Sequence, residues 1–131
     1  MNYIYQVWEY YNSCEIQYEP IRLFGHRAVD HDRCIINFAS LPDALAFANE
    51  YMQERVQEAI TDMSEYYEDY PLTESSQRHA RSRFHRWITT KIYPIRPVDE
   101  HKYNDGTIYK GWCIPYTHTF CEFSIRKVPL Y

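Results

Sequence analysis

Residues 40–70, SLPDALAFANEYMQERVQEAITDMSEYYEDY, decide the architecture of this chain. The stretch opens with a capping box from Ser40 to Asp43, and Pro42 lies in the first turn, where its missing N–H costs nothing. Apolar residues then recur in steps of three or four, at positions 41, 45, 48, 52, 56, 59, 63 and 67. This spacing predicts one amphipathic helix of about 25 residues. The helix should end at or before Tyr70-Pro71, because a proline disfavours helical geometry in the residue before it.

Strand patterns precede this helix. Residues 2–11 are dense in β-branched and aromatic types, and residues 14–19 alternate apolar with polar side chains. The two segments therefore predict a hairpin with its turn at Asn12-Ser13. The next segments are predicted as a short strand, a loop and a buried strand, over residues 21–24, 25–32 and 34–38.

A second helix and further strands are expected after the long helix. The second helix should start near Thr73 or Ser75, and its apolar face should consist of Ala80, Phe84, Trp87 and Ile88. Asn104-Asp105-Gly106 is a strong hairpin turn, which would join a strand ending near Tyr103 to a strand over residues 107–114. Residues 119–128 should return beside that strand.

The predicted order of elements is βββ-αα-βββ. Runs of strands, then helices, then strands indicate an α+β fold. We expect a mainly antiparallel sheet of about five to six strands, with the long amphipathic helix and the shorter one packed on one face. A chain of 131 residues has the usual size of one domain, so residues 1–131 are predicted to form a single domain.

Several features predict a cytoplasmic protein. The apolar runs are too short to span a membrane, and the first residues lack the basic and apolar regions of a secretory signal. The four cysteines show no CxxC spacing, and in strand-like segments they most often serve as small buried hydrophobic residues. A reducing cytoplasm is therefore the expected location.

The sequence offers no motif that favours an enzyme. Its three glycines, Gly25, Gly106 and Gly111, allow neither a GxGxxG fingerprint nor a P-loop. No serine or cysteine lies in the context of an activated nucleophile. We therefore expect neither catalytic activity nor a cofactor.

Two groups of residues, one in the first third of the chain and one near its end, could supply metal ligands. The spacing within the earlier group does not match a standard zinc pattern, and the later group supplies three candidate ligands without a fourth. We therefore expect no bound metal, and we expect Cys113 and Cys121 to face each other as a reduced pair across a hairpin. The two groups are His26, Asp30, His31, Asp32 and Cys34, and Cys113, His118 and Cys121.

Opposite charges divide the chain. Residues 1–70 contain 13 acidic and 4 basic side chains, a net of -9, whereas residues 71–131 contain 5 acidic and 10 basic ones, a net of +5. Such asymmetry points either to partners or to neutralisation of one half by the other. The fourteen tyrosines strengthen the first interpretation, because tyrosine suits contact surfaces.

An acidic column is predicted along the long helix, because its members recur every fourth residue, about 6 Å apart along the axis. Tyrosines near the end of the helix flank this column. The column is either a solvated face, or a face neutralised by the next helix, or a surface that docks on a basic protein partner. The residues of this candidate surface are Glu50, Glu54, Glu58, Asp62, Tyr66, Tyr67 and Tyr70.

Residues 78–91 mix cations with aromatic side chains. They could hold phosphate through arginine and stack a ring on an aromatic side chain, or they could bind nucleic acid. The overall acidity, with a pI near 5.8, argues against nucleic acid. The candidate ligand residues are Arg78, Arg81, Arg83, Arg86 and Trp87.

The leading hypothesis is a non-catalytic binding protein that inhibits or sequesters a protein partner with a basic surface. The short, acidic, aromatic-rich chain resembles the accessory proteins of phages and mobile elements, which implies a target in host defence. The first alternative is a sponge for a phosphorylated small molecule or nucleotide in an Arg/Tyr-lined pocket. The second is a nucleic-acid-binding module that uses residues 78–91. No membrane partner is expected, and the sequence is compatible with a homo-oligomer.

Overall fold

A computed structural model describes residues 2–16, 26–69, 73–116 and 119–131 of the chain. Five strands form one sheet in the order β2-β1-β5-β4-β3, and every neighbouring pair is antiparallel. This confirms the α+β class. The elements are β1 (Asn2–Ile16), β2 (His26–Phe38), α1 (Leu41–Asp69), α2 (Glu74–Thr90), β3 (Ile92–Pro97), β4 (Thr107–Tyr116) and β5 (Thr119–Leu130), with a short 3-10 helix at Glu100–Lys102.

Both helices pack on the same face of the sheet. The larger part of the core joins Phe123 of β5 to Val56 of α1 and Ile88 of α2, all of them buried. A second part lies under the start of α1, where Ala44 and Ala48 are fully buried against the sheet. Small side chains at these positions let the helix approach the strands closely.

The helix predictions are confirmed. The predicted apolar stripe of α1 is buried at Ala48, Met52, Val56 and Ala59, and α1 ends at Asp69, before Tyr70. Thr73 caps α2, because its Oγ1 accepts a hydrogen bond from the backbone N–H of Ser76 at 3.1 Å. In the described part of the chain, neither helix combines the length and the apolar character that crossing a membrane requires.

The predicted turn at Asn12-Ser13 is wrong. Strand β1 continues through both residues to Ile16, with β2 on one side and β5 on the other. A strand paired on both sides is held by two hydrogen-bond ladders, and these outweigh the local turn preference of Asn and Ser. The predicted strand over 14–19 is therefore the end of β1 as far as residue 16, and residues 17–25 lie outside the described part.

The predicted loop over residues 25–32 is wrong for residues 26–32, which belong to β2. This strand lies at the edge of the sheet, next to β1 alone. An edge strand tolerates charged and polar side chains because much of it faces water. The polar composition of this segment therefore hides a strand.

The strand before the predicted 104–106 turn ends at Pro97, not near Tyr103. Proline cannot donate to the next ladder hydrogen bond, and the Asp99 side chain then accepts from the backbone N–H of His101 and starts the 3-10 helix. Gly106 adopts a positive φ of 88° just before β4, as expected for the glycine of this turn.

Candidate functional site

The carboxylate of Glu9 is buried on the helix-covered face, with only 4% of its side chain exposed. Arg55 of α1 donates to it from Nε at 3.0 Å and from Nη2 at 3.2 Å. Arg33 of β2 donates a third hydrogen bond from Nη2 at 3.2 Å. A buried carboxylate is costly unless it is paired and hydrogen-bonded, and two guanidinium groups meet this need here.

These three charged groups line a cleft of about 390 Å³, together with Tyr11 and His31. Alternation along β1 places Glu9 and Tyr11 on the same face. The strand register sets Glu9 opposite Arg33 and Tyr11 opposite His31. The rings of Tyr11 and His31 lie 6.1 Å apart, centroid to centroid.

Tyr51 links the two arginines. Its hydroxyl accepts from Arg55 Nη2 at 2.9 Å and from Arg33 Nη2 at 3.5 Å. Burial by itself would lower the pKa of Arg55, but Glu9, Tyr51 and Glu58 more than offset this and raise the pKa above the ordinary arginine value. The Arg55 guanidinium is therefore a permanent charge at the floor of the cleft.

Arg33 keeps unused hydrogen-bonding capacity at the mouth of the cleft. Its side chain is 61% exposed, and within the described residues its hydrogen bonds come from Nη2 alone, which leaves Nε and Nη1 to face water. Two guanidinium charges meet one buried carboxylate, and the nearby Glu58 carboxylate, 3.5 Å from Arg55 Nη1, is largely exposed and screened by water. The cleft can therefore accept an anion.

The predicted acidic column lies on the outer face of α1. Glu50, Glu54, Glu58 and Asp62 are all exposed, and the last three help to line a shallow depression of about 310 Å³. Glu58 pairs with Arg55, whereas Glu50 and Glu54 form no ion pair with the described part of the chain. Tyr66 and Tyr67 belong to α1, but their side chains lie outside the described part, as does the whole of Tyr70.

The predicted basic residues are placed along α2, away from the cleft. Arg78, Arg83 and Arg86 are exposed. Arg81 is half-buried, and its Nη2 donates to the backbone oxygen of Ser64 on α1 at 3.4 Å. Trp87 is half-buried and stacks on Phe84, with the ring centroids 6.5 Å apart. The arginines that line the described cleft are instead Arg33 and Arg55.

Glu9, Arg33 and Arg55 could not be grouped from the sequence, because they come from three different elements. Two weak signals were present. Glu9 interrupts the aromatic run of the first strand, on the same face as buried Val7. Arg55 is the one positively charged residue within residues 41–69. Neither signal shows which residues meet.

The candidate metal ligands are separated by the strand geometry. His31 lines the cleft. Asp32 lies opposite Tyr10 and Cys34 lies opposite Trp8, so both belong to the other face of the sheet. Among the described residues, no group of three or more histidine, cysteine or carboxylate side chains is placed to hold a metal. His118 lies outside the described part.

Cys113 and Cys121 face each other across the β4–β5 pair, as predicted. The two form no disulfide, and both thiols lie in the core. The hydrogen bond to Cys121 and burial raise the pKa of the Cys113 thiol. A protonated, buried thiol is a poor nucleophile.

Comparisons of the chain with models of protein families, with curated proteins and with solved structures find no match. Function is therefore inferred from the cleft, from the charges around it and from the surfaces of the sheet and helices.

Proposed function

We propose that this protein is a non-catalytic binding protein for a small anionic ligand that carries a flat ring, such as a phosphorylated nucleoside. The observation that carries the proposal is the pair Arg33 and Arg55, both held by the buried Glu9 carboxylate at the floor of the cleft. This is the sponge-type alternative from the sequence, but on different arginines.

The charges favour an anion. Guanidinium groups bind phosphate and carboxylate through paired N–H donors in a fixed plane. Glu9 and Tyr51 hold Arg55 through Nε and Nη2 and hold Arg33 through Nη2, so little side-chain freedom is lost when a ligand occupies Nε and Nη1 of Arg33. Such support makes a site pre-organised.

The shape and the rings favour a flat group beside the anion. A volume of about 390 Å³ lies within the range of small-molecule sites. Tyr11 and His31 form the wall next to the arginines, and aromatic walls stack flat rings. The described residues of this wall include no serine, threonine or cysteine that could serve as a nucleophile, so the proposal is one of binding.

The test begins with native mass spectrometry of the purified protein and calorimetric titration with the four ribonucleoside monophosphates. Arg33→Gln should weaken binding at least about tenfold, since a charge-assisted hydrogen bond contributes about 1.5–3 kcal/mol. Arg83→Gln, an exposed arginine on α2, is the matched control and should bind as wild type does. Equal losses in the two variants, or no ligand in either assay, would show that the cleft is not a binding site.

A second candidate function is supported by the acidic column. Glu50 and Glu54 are exposed carboxylates with no ion pair in the described chain, and a solvated acidic stripe suits a basic protein surface. In this case the protein is an inhibitor or sequestering protein of the phage or mobile-element type, with a host defence component as its partner.

Lysine substitutions at Glu50 and Glu54, which have no ion pair in the described chain, separate the two candidates. At low salt, the immobilised wild-type chain should retain partner proteins that the immobilised double variant does not retain. These proteins should also dissociate from the wild-type chain as the salt concentration rises, because salt screens exposed charges. Binding of the monophosphates should change little. Retention of the same proteins by the double variant would exclude the acidic column as their docking surface.

A further inference from the structure

The sheet has a second face, opposite the helices, that carries a row of aromatic side chains. In the described part of the chain, no helix lies against this face. Tyr93 stacks on Trp112 with a centroid distance of 4.6 Å, Trp112 lies 5.6 Å from Phe120, and Phe120 lies 6.4 Å from Tyr10. This aromatic row (Tyr10, Phe120, Trp112 and Tyr93) spans four of the five strands. Tyr93 is 56% exposed and the other three rings are half-buried, so the row forms one continuous aromatic patch, which marks an interaction surface.

Two cations on this face, Lys110 and Arg126, are paired with carboxylates. Lys110 pairs with Glu122 at 3.0 Å. Arg126 lies between Asp32 at 3.8 Å and Asp105 at 3.5 Å, and its guanidinium also covers the ring of Trp8 at 3.8 Å.

A single-stranded nucleic acid needs open ring faces and an excess of positive charge. Tyr93 and Trp112 already use ring faces on each other, and Lys110 and Arg126 beside the row are each paired with a carboxylate. The face therefore fits a protein surface that is itself aromatic and of mixed charge.

The two edges of this sheet face carry opposite charges. Asp32 lies on edge strand β2, whereas Arg96 lies on edge strand β3. Arg96 is exposed and has no ion pair within the described residues. A twofold axis parallel to the strands would set β2 of one copy over β3 of another. Arg96 lies two ladder positions, about 7 Å, along the strands from the level of Asp32, and the long arginine side chain spans this offset, so that two Asp32–Arg96 pairs form at once. Such self-complementarity is what a symmetric dimer requires.

The area is also sufficient. Five strands about 4.8 Å apart and about eight residues long cover roughly 24 Å by 26 Å, or about 600 Å² per copy. Two such faces bury about 1,200 Å², the lower bound of a stable interface. Aromatic side chains at the centre and charges at the rim match the usual composition of interfaces.

We propose that a second copy of this chain docks face to face on the aromatic row, with Asp32 of each copy beside Arg96 of the other. The two sheets pack about 10 Å apart, as in aligned sandwiches. The dimer leaves the Glu9 cleft on the outer, helix-covered side of each copy, so this proposal does not depend on the ligand.

Sedimentation velocity over a concentration series tests the dimer. Wild type should sediment as a dimer, and Asp32→Arg and Arg96→Asp should each raise the dissociation constant at least about tenfold, because like charges then meet twice. The double variant, and an equimolar mixture of the two single variants, should recover the dimer because both restore two opposite-charge pairs. Arg83→Asp on α2 is the control and should leave the dimer intact.

Four results would overturn the proposal. Wild type could sediment as a monomer throughout, or its dimer could be indifferent to the single charge reversals. A third such result is that both single variants lose the dimer and that neither the double variant nor the mixture recovers it. Binding of a single-stranded thymidine oligonucleotide that dissociates the dimer and quenches tryptophan fluorescence would assign the face to nucleic acid instead.

Discussion

Arg55 on the long helix holds both carboxylate oxygens of Glu9 on the first strand, from Nε at 3.0 Å and from Nη2 at 3.2 Å. The two residues are 46 positions apart in the chain. This contact joins helix to sheet through the one buried carboxylate of the described core. It also sets the orientation in which the guanidinium faces the cleft.

Glu9→Gln should lower the free energy of unfolding by about 2 kcal/mol, because the half-buried Arg55 guanidinium loses its charged partner while the exposed Arg33 is solvated by water. Glu122→Gln is the control, since its ion pair with Lys110 is partly exposed and should contribute less than about 1 kcal/mol. Urea unfolding of both variants measures the difference. Losses of similar size would mean that the Glu9 cluster contributes no more to the free energy of unfolding than the partly exposed Lys110–Glu122 pair does.

Thiol reactivity should follow burial. Cys34 is partly exposed, whereas Cys113 and Cys121 have 0% and 1% of their surface exposed. We expect iodoacetamide to modify Cys34 in the native protein, and to modify the other two only when urea unfolds the chain. Peptide mass spectrometry locates each label. Early labelling of Cys113 in native protein would contradict the buried pair.

Gly111→Ala should weaken the contact between β3 and β4. A Cβ at this position would lie 2.7 Å from Ile95 Cγ1 and 2.8 Å from the Ile95 Cα. Overpacking of this kind costs about 1–3 kcal/mol. Hydrogen exchange should show lost amide protection in β3 and β4, with β1 and β2 unchanged. Unchanged protection in β3 would show that the strands do not approach this closely.

Asp105 should add to acid sensitivity. The hydrogen bond from the Thr107 side chain, followed by the Thr107 backbone N–H and the charge of Arg126, lowers the pKa of Asp105 below its ordinary 3.8, although burial opposes the shift. Because the folded pKa is depressed, this contribution to stability is present above about pH 4 and is lost as pH falls through the folded pKa.

Asp105→Asn should therefore flatten the fall in stability between about pH 4 and pH 2. Thr107→Val should flatten it too, because it removes the hydrogen bond with the largest effect on this pKa. Urea unfolding at a series of pH values measures both slopes. Slopes as steep as that of wild type would show that Asp105 does not contribute.

Much of the fold could be predicted from local patterns. The stripe that includes Met52 and Val56, and the short apolar face that includes Phe84 and Ile88, needed only helical periodicity, since a helix satisfies its backbone within itself. The opposition of Cys113 and Cys121 followed from a short hairpin, whose register is local. The strand through Asn12-Ser13 could not be predicted from local patterns, because the strands that pair with it, β2 and β5, are distant in sequence.

The sequence by itself determined the class of fold, the two amphipathic helices, the exposed acidic column and the buried cysteine pair, because these depend on periodicity within short segments. Tertiary structure alone decided the candidate site. Glu9, Arg33 and Arg55 meet because β2 pairs with β1 in one register and α1 crosses the same face. Pairing between distant segments is set by the whole core and by the ladder hydrogen bonds, which no short stretch of sequence contains.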